Sequence, residues 1–181
     1  MYNKTQSKFQ SHLLSLRAVS RTRAGGRQRR FAAMVIIGDG EGNVGYGTGK
    51  SANAGDAIKK AEKNAQNHLI FVPIRSGSIP YNVQHKHCAT TIKLNRACGG
   101  TGLNTNGVTR KICELAGLKE IKSKCIGNST SQNNIVFATM EALKKLDTLG
   151  NLAKRLNKSV EDLMLRRTFK KKSEAQHVQK A

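Results

Sequence analysis

Four groups of residues in this chain have the types and spacing that chemistry could use. The first is Gly40-Glu41-Gly42-Asn43-Val44-Gly45, which satisfies the G-x-G-x-x-G pattern of a dinucleotide loop and follows an apolar run. Such a loop works where it opens a helix, whose N-terminus then faces the pyrophosphate. Here it runs on into Tyr46-Gly47-Thr48-Gly49, with glycine at alternate positions, and the next helical pattern starts only near Asn53. A glycine-rich turn and strand is the better reading, and the close approach of an RNA backbone could also demand these glycines. The second group, Gly49-Lys50-Ser51, ends like a phosphate-binding loop, but the earlier glycine of that motif would fall at Val44. The motif fails, and Lys50 is left as a candidate for a phosphate of RNA. The third group is His85, His87, Cys88 and Cys98. Zinc sites pair their ligands at recognised spacings, and one close trio with a distant cysteine does not. These residues read as packing or surface positions, and no metal site is expected. Among eleven acids and five histidines there is no carboxylate pair or activated nucleophile, so neither catalytic residues nor a cofactor are expected.

The fourth group carries the argument. Arg21, Arg23, Arg27, Arg29 and Arg30 surround Gly25 and Gly26. Paired glycines supply positive φ at little cost, so the segment reads as a basic hairpin with a glycine tip. Such a finger can enter an RNA groove or junction, where guanidinium forks pair with phosphates. Aromatic residues make up 4% of the chain and there is no tryptophan, which argues against base stacking and for recognition of structured RNA by shape and phosphate. The whole composition agrees. Thirty-two Lys and Arg against eleven Asp and Glu give a net charge of +21, and such a surface calls for a polyanionic or acidic partner. Residues 1–38 hold eight basic residues and no acid, and residues 63–113 hold seven and again no acid.

These residues need a scaffold. At 181 residues the chain suffices for one domain or two small ones, and no apolar run approaches a membrane span. Four irregularly spaced cysteines with no CxxC point to a reduced compartment rather than a disulfide framework. The patterns predict a short strand at residues 16–21, a stronger one at 29–37, a tight connection at 38–42 and a glycine-rich strand at 43–50. A helix follows, with Asn53 as N-cap and Ala54, Ala57, Ile58, Ala61, Ala65 and Leu69 on one face. Lys59, Lys60 and Lys63 lie off that face, and Lys59 joins Lys50 among the RNA-contacting candidates. Residues 68–80 read as extended and mark a boundary near Pro80. Beyond it come a strand at 90–95, a glycine loop at 98–102, a helix with Val108, Ile112, Leu115 and Ala116 closed by Gly117, a strand at 120–126, a polar loop at 127–132, a helix with Val136, Thr139, Met140, Leu143 and Leu146, and a short helix through Leu149, Leu152, Ala153 and Leu156. Residues 159–162 start like a capping box, and residues 166–181 form a basic tail. The fold class is α+β, β-β-β-α and then ββαβα-like. The expected organisation is a basic arm at 1–12, domains at 13–78 and 79–147, and a helical then basic tail at 148–181.

Taken in order, these motifs resemble the small-subunit ribosomal protein S-five family of bacteria and organelles. The matching stretches are V-S-R-T-R-A-G-G-R at residues 19–27, F-A-A-M-V-I-I-G-D-G-E-G-N-V-G-Y-G-T-G-K at 31–50, A-I-K-K-A at 57–61, G-T-G at 100–102, E-L-A-G-L-K at 114–119 and N-I-V-F-A-T at 134–139. The resemblance spans about residues 13–165. It implies a first domain similar to a double-stranded-RNA-binding fold and a second with an unusual crossover. It also implies a place on the small subunit near the decoding region and the messenger entry path, contacts with rRNA and with neighbours of the S-four and S-eight families, messenger RNA nearby, and a role in assembly and accuracy. Under it the hairpin, with Gly25 and Gly26, becomes the rRNA-contacting loop, and Thr101, Gly102 and Arg110 become contacts to protein neighbours. The chain departs from the family pattern at residues 96–102, 104–107 and 129–136, mostly in the second domain. These departures bear on protein contacts more than on RNA contacts, and they slightly favour a mitochondrial matrix over a bacterial cytoplasm or another organelle. Two rivals are a free-standing duplex-RNA-binding module and a nucleotide-dependent enzyme built on the glycine run.

Overall fold

The computed structural model describes residues 9–127 and 131–157. Residues 9–127 and 131–146 belong to one compact unit, and the short segment from Asp147 belongs to another. The expected capping box and basic tail, most of the expected arm and part of the polar loop at 127–132 lie outside the described residues.

The first sheet has four strands in the order β1-β2-β3-β4: β1 (Gln10–Arg23), β2 (Gly26–Gly38), β3 (Asn43–Ser51) and β4 (Leu69–Phe71). All its pairings are antiparallel. Helix α1 (Ala54–Asn67) follows β3, so the β-β-β-α order holds. Strand β1 is far longer than the six residues read from sequence. It starts at Gln10, inside the segment expected to be an arm, and bulges between Leu13 and Ser15. Backbone pairing carries it past the end of any apolar alternation. Leu69, placed on the helix face by its spacing, instead opens β4, because the helix ends at Asn67.

Strand β2 is buried on both sides from Ala33 to Gly38. Ala33, Val35 and Ile37 pack on Ala57, Ala61 and Ala65 of α1. Met34 and Ile36 point the other way, into the larger core. On β3 the face toward α1 is Gly45, Gly47 and Gly49. A Cβ on Gly47 would strike the backbone of Ala61 and Ala65, and one on Gly49 the backbone of Ala57 and Ala61. The glycine run therefore lets a helix backbone lie directly on a strand. The same contact replaces the suggestion that RNA demands these glycines: protein fills that side. Asn53 is the N-cap of α1 by position, but its side chain makes no capping bond and instead meets Asp56 at 3.2 Å.

The second sheet has the order β5-β6-β8-β7: β5 (Val83–His87), β6 (Thr90–Arg96), β7 (Leu103–Asn104) and β8 (Ile121–Ile126). Helix α2 (Gly107–Ala116) links β7 to β8 as a parallel crossover, and α3 (Gln132–Lys144) follows. The outcome is ββαβα with one added two-residue strand, β7, too short for a sequence pattern. Asn106 caps α2 by accepting from Thr109 N–H at 3.0 Å, and Gly117, at φ +84°, ends it. In the shorter unit, α4 (Leu149–Leu156) ends at Asn157 in the left-handed region, and Arg155 pairs with Asp147 at 2.9 Å.

The two sheets share one core. Met34, Ile36 and Val44 from the first pack in the same cluster as Ile92, Leu94, Ile112, Ala116, Val136 and Met140 from the second half. A second link is polar. The connection after β2 docks on the end of α2, where Gly40 N–H donates to the Leu115 carbonyl at 2.9 Å. Asp39 shapes that connection. Its carboxylate accepts from Glu41 N–H at 2.8 Å, Asn43 N–H at 3.1 Å and the Asn43 amide at 2.5 Å. Partial burial pushes its pKa up, but the hydrogen bonds from Asn43 and Glu41 outweigh that and leave it below 3.8.

Two outcomes follow from this packing. Gly47→Ala forces α1 off β3 and should lower stability by about 1–3 kcal/mol in urea denaturation, whereas Gly25→Ala, with open space around it, should change it little. Asp39 is favoured in its charged form by folding, so its contribution is full above the ordinary carboxylate range and is lost as pH falls through its lower folded value. Asp39→Asn should therefore flatten the loss of stability measured between neutral pH and about pH 3.

Candidate nucleic-acid interface

Strand β3 stops at Ser51, opposite Phe31. From Phe31 back to the tip, β2 has only β1 as a partner, so a two-stranded ribbon projects from the sheet. Every residue from 17 to 30 is exposed. Arg23 pairs with Gly26 across the two-residue tip Ala24-Gly25. Only Gly26 of the glycine pair takes a positive φ, +115°. Gly25 does not, so the two glycines are not equivalent, contrary to the expectation from sequence.

The register sorts the arginines. Val19 faces Arg30, Arg21 faces Gln28 and Arg23 faces Gly26, while Ser20 faces Arg29 and Thr22 faces Arg27. Directly opposed residues share a face of a sheet. Arg21, Arg23 and Arg30 therefore lie on one face of the ribbon, and Arg27 and Arg29 on the other. The second face continues into Phe31 and Ala33, the side covered by α1. The first continues into Ala32, which faces Lys50 on β3 and Arg17 on β1. Lys50 thus stands at the root of the three-arginine face. Arg17 stands in the same cross-strand row and is not among the residues expected from sequence. The spacing Arg17, Arg21, Arg23 points to it once the strand is known to be this long. None of these cations pairs with a carboxylate among the described residues, and the chain has no acid before Asp39. Lys59 is exposed on α1, away from the buried alanines, and is not part of the ribbon.

The other sequence candidates fall elsewhere. Thr101 and Gly102 sit in the turn before β7, where Thr101 N–H donates to the Cys98 carbonyl at 3.3 Å and the Gly102 carbonyl accepts from Ile121 N–H at 3.2 Å. Arg110 lies on the exposed side of α2 with its Nε 3.4 Å from Glu114. The Gly40–Gly45 run forms a turn and the start of β3 and opens no helix. His85 Nε2 lies 3.1 Å from Glu141, and His87 packs on the Phe137 ring at 5.3 Å. Cys88 and Cys98 are exposed, in the β5–β6 turn and the glycine loop. Among the described residues no three such side chains converge as metal ligands do.

Fold and surface define a basic α+β protein with a projecting arginine ribbon, built of two sheets in succession. The family described as ribosomal protein S5, N-terminal domain, matches residues 9–73, and the one described as ribosomal protein S5, C-terminal domain, matches residues 85–156. The chain is 38% identical over 164 residues to the small ribosomal subunit protein uS5 of Mycoplasmopsis agalactiae, covering 90% of this chain and 71% of that one. It is 40% identical over 160 residues to the uS5 protein of Ureaplasma urealyticum, covering 88% and 78%, and 37% identical over 160 residues to that of Chloroflexus aurantiacus, covering 88% and 89%. The chain belongs to the ribosomal protein S5 family.

The cysteines give a direct check of this arrangement. Cys113 is fully buried on α2, and burial, with Glu114 beside it, pushes its thiol up to about 12. An alkylating reagent at mildly basic pH should label Cys88 and Cys98 in the folded protein and reach Cys113 only after unfolding, as peptide mass spectrometry would show.

Proposed function

We propose that this protein is a structural constituent of the small ribosomal subunit that holds rRNA with its β1–β2 ribbon. The observation that carries this is the arginine set itself: Arg17, Arg21, Arg23 and Arg30 on one face with Lys50 at their root, Arg27 and Arg29 on the other, all exposed and without carboxylate partners among the described residues. A ribbon with cations on both faces suits a groove or junction, where phosphates lie on either side. Family membership makes the chain a structural protein and not an enzyme, and its relatives carry the name small ribosomal subunit protein. No helix among the described residues is long and apolar enough to cross a membrane.

The family resemblance supports a finer placement near the decoding region and messenger entry path. There the protein would serve assembly and accuracy, with S-four and S-eight neighbours reached through Thr101, Gly102 and Arg110. The site of work is the ribosome. The relatives compared are bacterial and lend the mitochondrial matrix no support, so a bacterial cytoplasm fits them better.

Binding of the full chain to small-subunit rRNA, titrated against salt, tests the ribbon. Each phosphate that a variant no longer neutralises should make the slope of log affinity on log salt shallower by roughly 0.7–0.9. Arg23→Ala with Arg27→Ala removes one cation from each face and should lower affinity and slope together. An unchanged slope would rule the ribbon out as a phosphate reader.

A further inference from the structure

Helix α1 covers only part of its side of the first sheet. It lies over β2 and β3 and barely touches β1. The reason is width: a helix is about 10 Å across, and two strands set about 4.8 Å apart fill that span. Strand β1 is the outer strand of the sheet. The register shows what the bare strip presents. Leu13 faces Val35, Leu16 faces Ala33 and Ala18 faces Phe31, and Ala33, Val35 and Phe31 belong to the cluster under α1. Leu13 and Leu16 therefore lie on the α1 side, and each is 41% exposed. They share that side although they are three residues apart, because the chain bulges between Leu13 and Ser15 and Leu14 packs into the other core. Phe9, Phe31 and Ile58 are half-buried against the same cluster. The strip runs past Phe31 to the next row on its face, Ser20 opposite Arg29.

We propose that this apolar strip beside α1 is a docking groove for an amphipathic helix of a protein partner, one whose acidic end meets Arg29.

A helix fits both the space and the pattern. From the Leu13–Val35 row to the Ser20–Arg29 row the strip runs about 20 Å, the length of about 14 helical residues. Laid beside α1, such a helix would bury Leu13 and Leu16 under apolar residues at i, i+3, i+4 and i+7 and complete the cover of the sheet. The charge at the end of the strip selects the partner. Arg29 pairs with no carboxylate among the described residues, and residues 9–38 contain no acid. The same strip of a second copy would bring cation against cation, so the carboxylates must come from another protein. RNA is a poor occupant as well. Phosphates gain nothing from exposed leucines, and base stacking would have only the half-buried Phe9 and Phe31 to use. Neither leucine carries charge, so the groove does not depend on the ribbon's holding rRNA.

The test uses the full chain and a labelled synthetic helix of about 14 residues, with leucine at i, i+3, i+4 and i+7 and glutamates at one end. Fluorescence anisotropy should show the parent binding it at least about tenfold tighter than a scrambled peptide of the same composition, the effect of burying two leucines. L13S/L16S should abolish that preference while keeping the parent's salt slope for rRNA, and R29A should weaken binding of the patterned peptide several-fold. Because both leucines are already 41% exposed, L13S/L16S should melt close to the parent. Hydrogen exchange on the parent reads the same contact without a variant: the patterned peptide should slow exchange along β1. Equal binding of the two peptides by the parent would overturn the proposal, as would protection confined to other strands. So would a concentration-dependent dimer that L13S/L16S dissolves, since that assigns the strip to a second copy. A shallower rRNA slope in L13S/L16S would overturn it too, by placing RNA on the strip, whereas a silent R23A/R27A would sink the ribbon reading alone.

Discussion

Strand β2 is the constraint on which the rest depends. Its odd-numbered residues Ala33, Val35 and Ile37 seal one core against α1, and Met34 and Ile36 enter the core shared with the second half. A strand held on both faces cannot shift register by one residue without exchanging the two sets. The same strand runs on past Phe31 into the ribbon. The arginines are therefore not on a loose loop. Their facing is dictated by the alternation that fixes the core, and the cost of misplacing the ribbon is the cost of misplacing β2.

Glycine works in three physical ways here. Gly47 and Gly49 are needed for close approach, since α1 lies where their side chains would be. Gly117 is needed for both conformation and space: its φ is +84°, and the backbone of Gly40 lies against it. Gly26 is needed for conformation alone, in open space at the ribbon's last residue pair. A pattern search sees one glycine-rich segment with a nucleotide-like motif. The structure separates it into a turn shaped by Asp39 and a strand pressed on a helix.

Much of the scaffold was legible. The alanine face of α1, the buried run of β2, the Gly117 cap and the order of elements all follow from periodicities that burial imposes. What could not be read were features set by pairing partners distant in sequence. The length of β1 comes from backbone bonding to β2, and its exposed residues from 17 to 23 carry no burial signal. Arg17 was missed for that reason. Strand β7 is two residues held by β8. The shared core hides in any reading that divides the chain near Pro80, because Met34 and Ile92 meet only in three dimensions.

Charge explains why such a molecule is built for assembly. A chain of +21 with exposed cations on a projecting ribbon repels itself until phosphate neutralises it. The most direct measurement is fractionation of a lysate on density gradients at low and high salt. The account predicts that the protein sediments with small subunits at low salt and leaves them only as ionic strength rises. A protein found mainly free at low salt, or retained on subunits regardless of salt, would contradict it.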